Sequence, residues 1–360
     1  MSLGKKIIIN KEVSPYDDVR LAGSPSAASA NFVASVGVEA KVYYNTNSNP
    51  NTSWSNVTVG SSYISDLQWD GFTWIATTGN GIYQTSNSAA SGGWVNVVSG
   101  GAWTRVFPTI GGNICLKGGS SSGTFTMAYT SNIDGTVSSS NWSEKTLAIT
   151  GYGFDGTVTP TRVIIGRRFD STGPHYYYTS TDEDWFLDST LSSWSVDSSI
   201  GWGTYIVYDV DNDKYMGIAR NQGAWYAASL GGTATANSPA GYGWDGVNLS
   251  FHNGYWTITQ GTDSKYKTSY NGSWTNGATA TSSYSGRWEY NGTYWICRMN
   301  YASSDSQAIA YKTSITNSNS YVSRSTLGAV SGSYLRVCKP SKISNIGAWK
   351  NFGSASPSFG

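Results

Sequence analysis

The sequence predicts an all-β fold: a seven-bladed β-propeller of four-stranded antiparallel blades, preceded by an N-terminal arm. Three observations predict it. A tyrosine-centred motif recurs along the chain, Asn-Gly and Asp-Gly pairs separate short alternating segments, and no long segment has the 3.6-residue apolar period of a helix. Because short strands cannot bury both faces of a sheet alone, units of this kind must stack on one another.

The repeat consists of a tyrosine, a few small polar residues, a polar loop and, in most copies, a tryptophan. Successive tyrosines are 39 to 49 residues apart, with a mean spacing of 44.5 residues, which is typical of four-stranded propeller blades. We assign each tyrosine a structural role in its own blade. The seven are Tyr44, Tyr83, Tyr129, Tyr178, Tyr226, Tyr266 and Tyr311.

The second copy shows the internal order of strands and turns. We expect strands over 64–69, 72–77, 82–85 and 94–98, with Asp70-Gly71 as a two-residue hairpin turn between the first two. Asp and Asn tolerate a positive φ and Gly adopts it without steric cost, so such pairs favour tight hairpins. The same turn signal recurs at Asp155-Gly156, Asp245-Gly246 and Asn291-Gly292.

The period divides the chain into an arm and linker over 1–30, a propeller over 31–340 and a tail over 341–360. The stretch before the first tyrosine, residues 24–30, has a small-residue composition that suits a strand poorly. Residues Ser333–Cys338 lie beyond the seventh copy and have strand composition. We therefore expect that segment to complete the first blade and close the ring.

The composition of the chain argues against several classes of partner and cofactor. Only 12% of the residues are charged and the net charge is +1, so the chain lacks the electrostatic field on which nucleic-acid binders rely. No run of 18 apolar residues is present, so membrane insertion is not expected. Three cysteines without a CxxC pair and two histidines favour no redox or zinc centre. We predict no cofactor.

A resemblance follows from the loop after each tyrosine. The pattern Tyr-x-Thr-Ser-x-(Asn/Asp)-Gly-x-Trp resembles the Asp-box, or BNR-type, repeat of sialidase-like seven-bladed propellers. Its best copies are Ser131–Gly135 and Ser269–Trp274. The resemblance implies a structural turn between the third and fourth strands of a blade, and it implies nothing about catalysis.

Sialidase activity would need three arginines that clamp a carboxylate, together with a tyrosine nucleophile and its acidic partners. The Arg-Ile-Pro signature of the first clamp residue is absent, and Phe107-Pro108 is only a faint match. Scattered arginines are explained by surface ion pairs. A glycan-cleaving hydrolase therefore stays the weaker alternative, and we expect that this protein is not an enzyme.

Asp209, Asp211 and Asp213 imitate the start of a calcium loop, in which alternate oxygens face one ion. Lys214 stands where that loop needs a glycine, and Arg220 occupies the place of its final glutamate. The three aspartates are thus weak metal candidates, and a turn between two strands is the favoured interpretation.

Aromatic side chains near loops can stack on sugar rings, whose hydroxyls suit Asn, Asp and Ser. Rings that recur in every copy are better explained by packing between blades. Irregularly placed rings are the better glycan-binding candidates. These are Tyr176, Tyr177, Trp185, Trp202 and Trp225.

Few charges, abundant Gly and small polar residues, and dense Trp and Tyr are typical of extracellular and virion surfaces. The sequence resembles propeller-type phage tail, neck or fibre-associated subunits in composition. We therefore expect a structural virion subunit that assembles in the host cytoplasm. It would join other virion proteins or copies of itself through residues 1–30 and could contact host-surface glycans. A free propeller lectin is the alternative.

Overall fold

A computed structural model describes most of the residues of the ring. The described residues are 30–36, 39–109, 112–117, 124–130, 132, 135–150, 156–158, 163–166, 176–178, 195–197, 203–209, 212–219, 223–229, 232–239, 242, 248–280, 284–299, 307–323, 327 and 335–338. Residues 1–29 of the predicted arm and the whole predicted tail lie outside the described residues.

Strands are the main regular structure of the described chain. In chain order the first fourteen strands are β1 (Phe32–Val36), β2 (Lys41–Asn45), β3 (Ser55–Thr58), β4 (Ile64–Trp69), β5 (Trp74–Thr78), β6 (Gly81–Thr85), β7 (Val95–Ser99), β8 (Trp103–Thr109), β9 (Gly112–Lys117), β10 (Thr124–Thr130), β11 (Ser143–Thr150), β12 (Gly156–Val158), β13 (Val163–Gly166) and β14 (Tyr176–Tyr178). The other fourteen are β15 (Ser195–Asp197), β16 (Gly203–Asp209), β17 (Lys214–Ala219), β18 (Gly223–Ala227), β19 (Thr235–Ala236), β20 (Asn248–His252), β21 (Tyr255–Gln260), β22 (Asp263–Lys267), β23 (Thr275–Asn276), β24 (Tyr284–Tyr290), β25 (Trp295–Met299), β26 (Gln307–Lys312), β27 (Ser320–Ser323) and β28 (Leu335–Cys338). One 3₁₀ turn, Ser139–Asn141, precedes β11.

The strands form seven four-stranded antiparallel sheets. We number them as blades in chain order: blade 1 is β28-β1-β2-β3, and blades 2 to 7 are β4–β7, β8–β11, β12–β15, β16–β19, β20–β23 and β24–β27. Side-chain packing is described for six blades, whereas blade 4 is defined by backbone pairing, with Ile164 as its one described side chain. The first strand of each sheet contacts the first strand of the next, and β24, β28 and β4 complete the circle. The all-β propeller fold predicted from the repeat is confirmed.

Ring closure by the C-terminal strand is also confirmed. Val33 pairs with Cys338 and Val36 with Leu335, in antiparallel register. The chain therefore supplies the innermost strand of blade 1 from its C-terminal part and the other three strands from its N-terminal part. Blade 1 cannot form from either part alone, so folding of the ring depends on long-range pairing.

All seven repeat tyrosines lie in the third strand of their blades. Tyr44, Tyr226, Tyr266 and Tyr311 pack into the apolar layer that their blade shares with the next one. The periodicity in the sequence thus follows one packing position between blades.

Tyr83 departs from this arrangement. Its ring packs into the layer shared with the preceding blade, beside Gly60, where an added Cβ would lie 2.6 Å from the ring. In β6 the residues that face the next blade are Ile82 and Gln84, and the Gln84 amide oxygen accepts a hydrogen bond from the Trp142 indole of blade 3. The motif is therefore shifted by one residue in blade 2, and an amide takes the place of the tyrosine.

The core consists of layers between blades. Six clusters of buried apolar residues are described, and each takes members from two consecutive blades. Tryptophans contribute most of the volume: Trp74, Trp103, Trp256, Trp288 and Trp295 are each at most 2% exposed. Removing an apolar side chain of leucine or phenylalanine size from water contributes about 1.5–3 kcal/mol, so these layers hold the blades together.

The first hairpin of blade 2 is longer than the sequence predicted. Trp69 pairs directly with Trp74, so the turn spans the four residues 70–73 and β5 begins two residues later than expected. The cause is local. The Asp70 carboxylate accepts hydrogen bonds from the N–H groups of Phe72 and Thr73, which holds a wider turn, and only Gly71 has a positive φ, +101°. The turn over 291–294 repeats this geometry.

No helix in the described part of the chain is both long enough and apolar enough to cross a membrane.

Truncation after Leu327 removes β28 and should destabilise the whole ring, because β1 then loses its inner partner and blades 7 and 2 lose their shared neighbour. We expect the melting temperature to fall by at least about 10 °C, or cooperative unfolding to disappear. A second truncation after residue 341 keeps β28 and serves as the control. An unchanged melting temperature in the shorter protein would refute closure by this strand.

Candidate interaction face

One face of the ring carries the connections between the first and second strands and those between the third and fourth strands of each blade. Antiparallel order fixes this, since alternate connections lie at opposite ends of the strands. We call it the turn face and define it by residues 70–73, 86–94, 268–274, 291–294 and 313–319. Loops on a rigid scaffold are where binding residues concentrate.

Blade 1 has no hairpin on this face between its first two strands. Its first strand ends at Cys338 and its second begins at Phe32, and the two ends lie side by side because Val33 pairs with Cys338. The two ends of the described chain, near Ala30 and Cys338, therefore lie next to each other on the turn face.

The start of the ring is tied to three blades. The Ala30 N–H donates to the Ser88 carbonyl of blade 2 at 3.5 Å, and Asn31 Nδ2 donates to the Thr46 carbonyl of blade 1 at 2.7 Å. Asn291 Nδ2 of blade 7 donates to the Asn31 carbonyl at 3.1 Å. Ala30 is also buried in the apolar layer between blades 1 and 2. Ala30 and Asn31 are therefore held by the packing and hydrogen bonds of the ring.

The Asp70 turn is a polar bridge between blades 2 and 3. Besides its two backbone donors, the carboxylate accepts from the Thr73 hydroxyl at 3.0 Å and from Asn113 Nδ2 of blade 3 at 2.7 Å. Burial raises the pKa of Asp70 above its ordinary value, while the Thr73 and Phe72 N–H groups and the Asn113 amide oppose the shift. Four donors satisfy a buried carboxylate, so this bridge fixes the orientation of one blade against the next.

The bridge continues into a chain of buried hydrogen bonds. Gln84 Nε2 donates to the Thr73 hydroxyl at 2.8 Å, and the Trp142 indole donates to Gln84 Oε1 at 3.2 Å. Closer to the axis, Asp66 of β4 accepts from the Val106 N–H of β8 at 3.1 Å. Blades 2 and 3 are thus joined by backbone and side-chain bonds as well as by apolar packing.

Lys267 forms a different bridge, between blades 5 and 6. Its ammonium donates to Asn237 Oδ1, to the Tyr270 carbonyl at 2.7 Å and to the Gly272 carbonyl at 3.4 Å. The group also lies 4.4 Å from the centroid of the Trp274 ring, within the range of a cation–π contact. Burial lowers the pKa of Lys267 to about 7, whereas these oxygens and the ring favour the charged form.

Lys312 occupies the equivalent place one blade later, because Trp256 pairs with Lys267 and Trp295 pairs with Lys312. It is 3% exposed, and its ammonium lies 4.4 Å from the Trp288 ring with no hydrogen-bond acceptor. Burial lowers its pKa to about 8. The two lysines share a position in the repeat and differ in whether oxygens satisfy the charge.

The glycan-binding expectation fails for Trp225. This ring is 4% exposed and packs with Ile164, Ile206, Tyr215 and Ala227 between blades 4 and 5. No ring face is left for a sugar, because residues of β18 that alternate with Tyr226 face the preceding blade. Its irregular position in the sequence reflects core packing.

The other predicted aromatic residues are not tested. The backbones of Tyr176 and Tyr177 lie in β14, which pairs with β13 and β15. Their side chains, and Trp185 and Trp202 altogether, lie outside the described residues.

The acidic loop of blade 5 is a hairpin, as the sequence favoured. Asp209 pairs with Lys214 at the end of β16 and β17, and Asp213 has a positive φ of +52°. The buried Asp209 carboxylate accepts from the N–H and the side-chain amide of Asn212. Asp209 thus caps its own turn, and Asp211 lies outside the described residues. No group of three potential metal ligands occurs among the residues that the structure describes.

Sequence reasoning missed the two buried lysines, Lys267 and Lys312, and Asn113. The signal for the lysines was present, since Tyr-Lys-Thr-Ser occurs twice, at 266–269 and 311–314. A lysine at a fixed place in a repeat indicates a recurring environment. Nothing in the sequence pairs Asn113 with Asp70, because 43 residues separate them and the contact depends on blade packing.

Comparisons with known proteins give the fold alone. No protein-family model matches the sequence, and no curated protein matches it. Solved structures of similar fold include YCF48 bound to a D1 peptide, with a TM-score of 0.53, 10% identity and coverage of 86% of this chain and 89% of that one. Apo AztD from Citrobacter koseri has a TM-score of 0.53 and 8% identity over 85% and 96% of the two chains.

A third neighbour is the dihydro-heme d1 dehydrogenase NirN in complex with DHE. Its TM-score is 0.56 and its identity 9%, and the match covers 83% of this chain. This chain matches only 64% of the length of NirN. Identities of 8 to 10% show a shared propeller architecture, which hosts many functions.

Exchange of Asp70 and Asn113 tests the bridge between blades 2 and 3. Asp70→Asn alone places amide donors face to face and should lower the free energy of unfolding by about 2–4 kcal/mol. Asn113→Asp alone places two buried carboxylates together, so it should be destabilising at pH 7 and recover below about pH 5. The double exchange should regain at least about 1 kcal/mol relative to additivity, as measured by urea unfolding. Strict additivity would contradict the contact.

The two lysines should respond oppositely to replacement by methionine. The folded-state pKa of Lys312, about 8, lies below the unfolded value of about 10.4. The unfolded state therefore binds more protons between these values, and stability rises with pH across this window. Lys312→Met removes an unsatisfied buried charge and should stabilise the ring at pH 7 by about 1–3 kcal/mol, with a flatter profile from pH 8 to 10.

Lys267→Met is the matched control. It leaves the Asn237 and Tyr270 oxygens without their donor, so it should destabilise the ring at pH 7 by about 1–3 kcal/mol. Thermal unfolding of both variants from pH 6 to 10 measures the change in stability. Equal shifts of the same sign would show that the oxygens around Lys267 do not hold its charge.

Proposed function

We propose that this protein is a non-enzymatic structural subunit of a bacteriophage virion, part of the tail, neck or a fibre, attached through residues 1–30 to other virion proteins or to copies of itself. The observation that carries the proposal is how the residues that follow the arm are bonded to the ring. The described ends of the ring lie together on the turn face, and residues 30 and 31 are bonded to blades 1, 2 and 7. A mechanical force applied through the arm is therefore shared by three blades.

The contacts of the polar side chains support a structural role for the protein. Asp66, Asp70 and Lys267 all join one blade to another. These three charged side chains hold the ring together, which is what a mechanical subunit needs. The low charge of the chain and its Ser-, Thr- and Asn-rich surface suit a particle exposed to variable salt.

Contact with host-surface glycans is a further part of the proposal. The turn face offers exposed amide and hydroxyl groups, such as those of Asn271 and Ser269, beside the partly exposed rings of Tyr270 and Trp274. Hydroxyls and amides of this kind suit the hydroxyls of a sugar, and a ring face suits its C–H groups.

Deletion of residues 1–28 tests the attachment. The cut spares Ala30 and Asn31, so the melting temperature should stay within about 2 °C of that of the full chain. The shortened protein should be lost from purified particles, as measured by mass spectrometry, and should sediment as a single ring. Undiminished incorporation would refute the role of the arm, and loss of cooperative unfolding would show that the arm is part of the ring.

A further inference from the structure

Lys312 carries a buried positive charge that the ring does not satisfy. The residue is 3% exposed, and its ammonium has no hydrogen-bond acceptor among the residues that the structure describes. An ionised amine that is buried without a partner is strongly destabilising. A bound water or ion is one of the few physical explanations for such a group in a folded protein.

The Lys312 side chain runs inward from the third strand of blade 7. Lys312 pairs with Trp295 of the second strand, β25. Two residues further along β25, Cys297 pairs with Trp288 of the inner strand, β24. Because the ammonium lies 4.4 Å from the centroid of the Trp288 ring, the side chain passes over β25 close to Cys297. The charge therefore lies within the apolar layer between blades 6 and 7, to which both tryptophans and the cysteine belong.

The equivalent lysine of blade 6 shows which acceptor is missing. Lys267 donates to Asn237 Oδ1, which comes from the preceding blade. Asn237 directly follows β19 and Gly277 directly follows β23, and both donate a backbone N–H to the third strand of their own blade. Gly277 thus stands where Lys312 would find an acceptor, and a Cβ added there would lie 2.6 Å from the Ser264 hydroxyl. Blade 6 therefore supplies no side-chain oxygen from this position.

Carboxylates do not balance this charge either. In the part of the chain that the structure describes, Lys312 has no ion pair. Glu289, on the inner strand of the same blade, pairs with His252 at 3.2 Å and with Arg287 at 3.8 Å. Burial lowers the pKa of Lys312 to about 8, so most of the amine is still charged at pH 7. A water molecule can accept a hydrogen bond from it, whereas an anion also compensates the charge.

We propose that the Lys312 ammonium binds one small monovalent anion, chloride in ordinary buffers, in the layer between blades 6 and 7. A single negative charge matches the ammonium, whereas phosphate or sulfate would leave excess charge in an apolar layer. The edges of aromatic rings are electropositive, and tyrosines and tryptophans line this layer. The anion does for Lys312 what Asn237 and the loop carbonyls do for Lys267. The inference concerns the ring itself and does not depend on the proposed function.

Thermal unfolding of the full-length chain at pH 7 tests the site, in mixtures of sodium chloride and sodium fluoride at one total concentration. Fluoride is the more strongly hydrated anion, so non-specific salt effects oppose stabilisation by chloride. The melting temperature should nevertheless rise by about 2 °C or more from about 10 to about 300 mM chloride. Lys312→Met should lose this rise, so its stability advantage is largest at low chloride. Lys267→Met is the matched control and should keep the rise, because it removes a buried lysine and leaves the proposed site.

A second measurement needs no variant. At pH 10, above the Lys312 pKa of about 8, the amine is neutral and the chloride dependence of the unaltered protein should disappear. A melting temperature that does not respond to chloride at pH 7 overturns the proposal and leaves water as the partner of the amine. An equal rise in Lys312→Met, or a rise that persists at pH 10, overturns it as well, because the anion then binds elsewhere.

Discussion

The structure depends on burial of apolar surface between blades. A four-stranded blade has two faces and a short outer edge, and neither face is covered within the blade. Each described cluster takes residues from two consecutive blades, so every blade is stabilised by its neighbours. A chain of such blades would leave two open faces at its ends. The pairing of β28 with β1 removes both, and for this reason one backbone pairing supports the stability of the whole ring.

Polar groups add orientation to this packing. Apolar layers tolerate sliding, whereas a hydrogen bond between buried groups has one geometry. The Asp70–Asn113, Asp66–Val106 and Asn291–Asn31 bonds join blades where the strands turn or lie near the axis. Residues at the ends of the first strand and in the first turn therefore set the angle between blades, and the tryptophans behind them supply the free energy.

The sequence predicted the fold well because periodicity reports packing directly. The seven tyrosines lie on equivalent strands, four of them fill the same position between blades, and the strand at 64–69 was predicted with its observed bounds. Turn length was harder, because the Asp70 carboxylate widens its hairpin through bonds that a dipeptide rule does not contain. Trp225 was misassigned for a related reason: a ring that breaks the repeat in sequence still alternates in its strand, and alternation placed it in the core.

Lys267 and Lys312 show how far a repeat determines chemistry. The strand position is the same, the paired tryptophan is the same, and burial lowers the pKa of both amines. The difference comes from their neighbours: Asn237 of the preceding blade and the Tyr270 carbonyl of the loop accept hydrogen bonds from Lys267, whereas Lys312 lies against the Trp288 ring of its own blade. Repetition therefore specifies where a side chain lies, while the non-repeated neighbours decide what it can do.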